Sequence, residues 1–194
     1  MNNAKRSCRG LMTFLLAAFF SASANAHLMP AQQGTLNFTD EYAFLVVSLP
    51  ATAFANLDRD GDGAVTMLEF NRHRAEIAGA VTSGIALVGG ARRFRLEGVM
   101  LSPVIHESGP SATLDQLTVM GRFTLPEGVD GFEFSLELFG SARNERAVKM
   151  TASYRSAGLS HSFVLTPDNN TGRVRVDVGR SLGELRPAST VVVL

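Results

Sequence analysis

The chain is expected to fold as an α+β protein that is mainly β, an antiparallel β-sandwich or barrel-like domain with a helix–loop–helix insert near its N-terminus. Two observations lead there. From Ser83 onward apolar and polar residues alternate, with turn-forming residues at short intervals, which is the pattern of a half-buried antiparallel sheet. Between Ser48 and Val81 the apolar spacing is instead helical, on both sides of an acidic, glycine-containing stretch.

Residues 1–26 read as a secretory signal peptide. Lys5, Arg6 and Arg9 precede an apolar run from Leu11 to Phe20, and small residues follow, ending Ala24-Asn25-Ala26. The run is about half the roughly 20 residues a membrane span needs, and no later stretch is long and apolar enough to span, so no stable membrane span is expected after cleavage behind Ala26. The expected location is periplasmic or secreted. Cleavage removes Cys8, the only cysteine, so stability must come from the core and from any bound metal. It also removes three of the 18 basic residues and none of the 18 acidic ones, leaving a net charge of −3. Such a surface has no basic footprint for nucleic acid. Arg92, Arg93 and Arg95 form a dense basic cluster, read as the solvated face and edge of a strand, with an anionic partner as the alternative.

Residues 27–47 supply N-terminal strands of the β domain, over Thr35 to Thr39 and Ala43 to Val47. Residues 48–82 form the helical unit. Ser48 and Pro50 predict a helix start, because serine caps and proline tolerates the first turn, with Phe54 and Leu57 on one face. A second helix is expected from Met67 to about Val81, where Phe70, Ile77 and Val81 recur at helical spacing between charged residues.

Between the two expected helices lies Asp58-Arg59-Asp60-Gly61-Asp62-Gly63-Ala64-Val65-Thr66-Met67-Leu68-Glu69. A calcium ion takes about six to eight oxygens at roughly 2.3–2.6 Å, and alternate residues of a tight loop can supply them from one side. Asp58, Asp60 and Asp62 offer carboxylates. Gly63 sits at the sharp turn that lets the Ala64 carbonyl swing inward, Thr66 contributes through a water, and Glu69 closes the shell with both oxygens. The competing reading is a solvated acidic turn. On these residues the segment from Ser48 to Val81 resembles the calmodulin-type EF-hand family, over under a fifth of the chain. The resemblance implies Ca2+ as cofactor. EF-hands usually pair through the short strand near Val65, and no second loop is visible in the sequence.

Residues 83–194 form the main β-sandwich region. Phe132, Phe134, Leu136 and Leu138 alternate with Glu133, Ser135 and Glu137, predicting one buried and one wet face. The alternation recurs at Val148 to Tyr154, at Phe163 and Leu165, and at Val174 to Val178, with Pro126-Glu127-Gly128 as a turn and Asp168 to Gly172 as a hairpin turn. Of the 13 phenylalanines, most of those outside the signal segment fall on the buried side. Thr190 to Leu194 reads as a final strand or as a contact with another chain.

Two other chemistries compete. Trimming behind Ala26 would make His27 the first residue, and an N-terminal histidine holds copper through its amine and a ring nitrogen, with His106, His161 and Met29 as candidate further ligands. A hydrolase acting on envelope material would rest on Ser160, His161 or Glu133. Gly158-Leu159-Ser160-His161-Ser162 lacks the second glycine of a nucleophile elbow, however, and Glu133 and Glu137 lie roughly 13 Å apart along a strand. No catalytic motif is complete. The sequence therefore predicts a non-enzymatic calcium-binding protein whose loop acts as a structural clip on a β-rich module, with an unknown protein or envelope ligand as partner.

Overall fold

The computed structural model describes residues 31–54, 57–62, 64–106, 113–126 and 131–174, so the signal segment, the histidine at position 27, Gly63 and the Thr190 to Leu194 run lie outside the described residues. In chain order the strands are β1 (Gln33–Phe38), β2 (Tyr42–Pro50), β3 (Ile85–Gly89), β4 (Arg92–Arg95), β5 (Glu97–His106), β6 (Thr113–Thr124), β7 (Phe132–Leu136), β8 (Val148–Tyr154), β9 (Leu159–Leu165) and β10 (Thr171–Val174), with helix α1 (Met67–Gly84) between β2 and β3. The expected mainly-β α+β sandwich is observed. One sheet has the order β5-β6-β2-β1-β8-β9 and the other β10-β7-β3-β4. Pairings are antiparallel except β1 with β8, where Leu36 faces Ala152. No helix among the described residues is long and apolar enough to cross a membrane.

Alternation decides which side of each strand enters the core. Leu36 and Phe38 of β1, Ala43, Leu45, Val47 and Leu49 of β2, and Leu117, Val119 and Phe123 of β6 are all buried on one face of the larger sheet. Phe132, Phe134 and Leu136 of β7 with Ile85 and Leu87 of β3 oppose them. Phe38 stacks on Phe132 across the gap at 5.8 Å between ring centroids. Each such side chain removed from water contributes about 1.5–3 kcal/mol, so this layer dominates the stability. At Gly172 the sheets approach so closely that a Cβ would lie 2.3 Å from the Phe163 ring.

Three expectations about elements are corrected. No helix starts at Ser48: β2 runs through Pro50, paired with β6 from Tyr42↔Thr124 to Pro50↔Gln116, and only a 3-10 turn at Ala51–Ala53 follows. Pro50 has φ −66° and ψ 149°, so its ring constraint serves an extended chain as readily as a helix. The Ser48 hydroxyl donates to Gln116 Oε1 at 2.6 Å instead of capping. The turn at Asp168 to Gly172 closes locally through Thr166 and Asn169 but carries the chain from one sheet to the other, so it makes no hairpin. Finally, Ser135 is buried, because β7 is an inner strand whose Ser135 lies between Thr171 and Ala86 on its neighbours.

Helix α1 follows its pattern. Phe70, Ile77 and Val81 are buried, one helical face against the sandwich. Its start is a reciprocal cap: the Thr66 hydroxyl accepts from the Glu69 backbone N–H, and the Glu69 carboxylate accepts from the Thr66 N–H. At the other end Arg93 Nη2 donates to the Ser83 carbonyl at 3.1 Å, satisfying one of the last helical acceptors. His73 on α1 is half-buried and its Nδ1 lies 3.2 Å from Glu76 Oε2.

Candidate metal centre

The acidic loop is pinned at both ends by apolar anchors. Leu57 before it and Val65 within it are buried, as is Phe70 just after it. Between them the backbone is folded by its own aspartates. Gly61 N donates to Asp58 Oδ1 at 2.8 Å, Asp62 N to Asp60 Oδ1 at 3.2 Å, and Ala64 N to Asp62 Oδ1 at 2.8 Å. These are local carboxylate-to-amide turns, the reason aspartate is favoured in such loops. Gly61 takes φ +76°, a conformation a side chain would strain.

The outcome is that one carboxylate oxygen each from Asp58, Asp60 and Glu69 lies within 4.8 Å of the others. Oxygens on opposite sides of an ion held at roughly 2.3–2.6 Å are about 4.6–5.2 Å apart, so these three fit one coordination shell. Two of the other expected ligands, Asp62 and Thr66, carry hydrogen bonds of their own. The Asp62 carboxylate is outside that group and holds the Ala64 N–H. The Thr66 hydroxyl is committed to helix capping, donating to Glu69 Oε2 at 2.9 Å.

Glu69 has two duties, and the second was not read from the sequence. Its Oε1 accepts from Arg59 N at 2.9 Å and its Oε2 from Thr66 N at 2.9 Å. Hydrogen bonds from the Thr66 backbone, the Arg59 backbone and the Thr66 hydroxyl lower its pKa from 4.5 to about 2, against an opposing effect of burial. Both of its oxygens thus already accept backbone hydrogen bonds while it contributes to the acidic group. The missed signal was Thr66-Met67-Leu68-Glu69, whose spacing is that of a capping box. The Arg59 guanidinium is 3.8 Å from Glu76 on α1.

The strand-like segment near Val65 has a partner within the chain. Leu114 N donates to the Val65 carbonyl at 2.7 Å, and Thr66 bridges to Thr113, so the loop is joined to the start of β6. Beside that junction is a cavity of about 380 Å³ whose lining includes Thr52, Val65, Asp115, Gln116 and Glu145. Thr52 Oγ1 donates to Glu145 Oε2 at 2.6 Å, which fixes one of its polar walls. A second cavity, about 400 Å³ and more apolar, lies between the sheets at Ala152, Tyr154, Leu159, His161 and Val174.

The other candidate chemistries gain no assembled site among the described residues. His27 and Met29 lie outside them, and the side chain of His106 is not described. His161 is exposed on β9 and stacks on Phe163 at 5.9 Å. Ser160 and His161 are successive strand residues and so point to opposite faces, while Glu133 belongs to the other sheet. Glu137 lies past the end of β7 and is 3.8 Å from Arg93. Arg92, Arg93 and Arg95 lie on β4, an edge strand among the described residues.

No protein-family model matches the chain, and no curated protein matches it in sequence.

Proposed function

We propose that this is an exported, periplasmic or secreted protein that binds one calcium ion through the Asp58 to Glu69 loop, and that the ion acts as a structural clip. The observation that carries this reading is the convergence of Asp58, Asp60 and Glu69 oxygens within 4.8 Å on a loop whose Val65 carbonyl is bonded to β6. A divalent ion there offsets the repulsion among the acids and ties the N-terminus of α1 to the sandwich. The arrangement differs from a paired helix–loop–helix unit in having a strand and a short turn before the loop, and β6 in the place of a second loop. That favours a fixed structural role over a conformational switch. The β domain is then the binding module, with the polar cavity beside the loop as the place for an envelope ligand or protein segment, and no catalytic step is assigned to it.

The experiment is metal analysis of the exported, processed protein after equilibrium dialysis against calcium. One calcium per chain is expected in the native protein and none in the Asp58→Asn, Asp60→Asn pair. Equal calcium in both would overturn the assignment. N-terminal sequencing of the same material is expected to begin at His27, and a chain retaining residues 1–26 would overturn the export reading.

A further inference from the structure

Among the described residues the two sheets end in four edge strands, β5 and β9 in the larger and β10 and β4 in the smaller. An edge presents unpaired N–H and C=O groups to any passing strand, and proteins blunt it with proline, charge, bulges or brevity. Three of these edges are blunted. β5 contains Pro103 and breaks register between Glu97 and Met100 and again between Val104 and Ile105. β4 is four residues long and three of them are arginine. β10 has four described residues and carries Arg173.

β9 has none of these devices. Its seven residues, Leu159 to Leu165, include no proline and no Asp, Glu, Lys or Arg, and they pair with β8 in unbroken register from Tyr154↔Leu159 to Val148↔Leu165. Two of its apolar side chains are left open to solvent, Leu159 at 51% and Val164 at 52% exposure. Among the described residues no strand covers its outer edge.

We propose that this edge is the docking surface for a second copy of the same chain, β9 pairing antiparallel with β9 about a two-fold axis at Ser162, so that the two larger sheets become continuous. The strand is complementary to itself in that register. Leu159 falls opposite the partner's Leu165 and His161 opposite the partner's Phe163 on the core-facing side, while Ser160 meets the partner's Val164 on the other. Ser162, a small residue already bonded to Thr151 at 3.0 Å, faces its own copy at the axis. Across a two-fold axis any charge near the centre meets a like charge, which is repulsive, and this strand carries none. Its lack of charge also gives a foreign charged peptide nothing to select, so self-pairing is the fit that the strand's chemistry favours. Strand addition of this length buries less than the roughly 1,200–2,000 Å² of a stable interface, so the dimer is weak and concentration-dependent.

Sedimentation equilibrium of the processed protein across a concentration series tests this. The mass is expected to rise toward that of a dimer, and Val164→Lys is expected to remain monomeric with an unchanged melting temperature. In a Cys8→Ser background, Ser162→Cys brings two thiols into a cross-strand pair at about 4.5–5.5 Å between Cα atoms, within disulfide range. It is expected to cross-link faster than Ser102→Cys on the other edge of the same sheet. A chain that stays monomeric throughout, a Val164→Lys variant that dimerises like the parent, or equal cross-linking at both positions would overturn the proposal. Slow exchange of the β9 amides that point away from β8, in a strictly monomeric sample, would overturn it too, and would assign the edge to another segment of the same chain.

Discussion

Adding calcium to metal-free protein is expected to raise its melting temperature by a few degrees, and the size of that rise follows from the loop's geometry. Carboxylate oxygens of Asp58, Asp60 and Glu69 lie within 4.8 Å of one another, but Asp62 is bonded to the Ala64 N–H and the Glu69 oxygens already accept from Arg59 and Thr66. Such a partly filled set of hard ligands belongs at the weak end of loop affinities, a Kd of about 10⁻⁴–10⁻³ M. With free calcium at ten times Kd, linkage adds about 1.4 kcal/mol to the folded state. For a domain of this size each kcal/mol moves Tm by about 2–4 °C, so the rise is about 3–6 °C. Differential scanning calorimetry with EDTA and then with free calcium at ten times the Kd found by titration reads it directly. Magnesium is the control, since it is smaller, demands a near-ideal octahedron and gives up its waters reluctantly. Asp60→Asn removes one charge from the shell and is expected to abolish the rise. An unchanged Tm, an equal rise with magnesium, or a full rise in Asp60→Asn would refute the reasoning.

Gly172→Ala is expected to destabilise the protein by about 1–3 kcal/mol, because the new methyl would meet the Phe163 ring at 2.3 Å, and Phe163→Ala in the same chain is expected to relieve part of the loss in urea melts. Ile77→Ala, at a fully buried position on α1, is expected to cost about 2–5 kcal/mol by the same measurement, whereas an effect below 1 kcal/mol would mean that the helix does not depend on that contact. In metal-free protein the Glu69 cap is expected to hold at ordinary acidity. Its pKa is lowered from 4.5 to about 2 in the fold, so its contribution is full above about 4.5 and is lost as the pH falls through about 2. The Thr66 amide resonance followed down in pH reads this, and a midpoint near the ordinary value would contradict the hydrogen-bond account.

The sandwich was legible because its signal is local. Phe132, Phe134 and Leu136 alternate, and so do Val148, Met150 and Ala152, and both sets are buried as the pattern requires. Helix α1 was legible from Phe70, Ile77 and Val81. The preceding helix was misread because Ser48 and Pro50 suit a helix start and a strand end equally well. Pairing with β6, some seventy residues away, decided between them, and no local pattern carries that information. The same holds for Ser135 and for the turn after β9, whose fates depend on which sheet each neighbouring strand joins. Within the loop the spacing placed Asp58, Asp60 and Glu69 together. It did not reveal that Thr66 and Glu69 cap α1, since one four-residue spacing serves both capping and metal ligation. Nor could it show that Leu114 takes the Val65 carbonyl.

The most direct measurement is a calcium titration of isotope-labelled, processed protein followed by NMR at the side-chain carboxylates. The account predicts that Asp58, Asp60 and Glu69 shift together and saturate at one ion per chain, with Asp62 responding less. Carboxylates that do not move at millimolar calcium, or that drift without saturating, would contradict it.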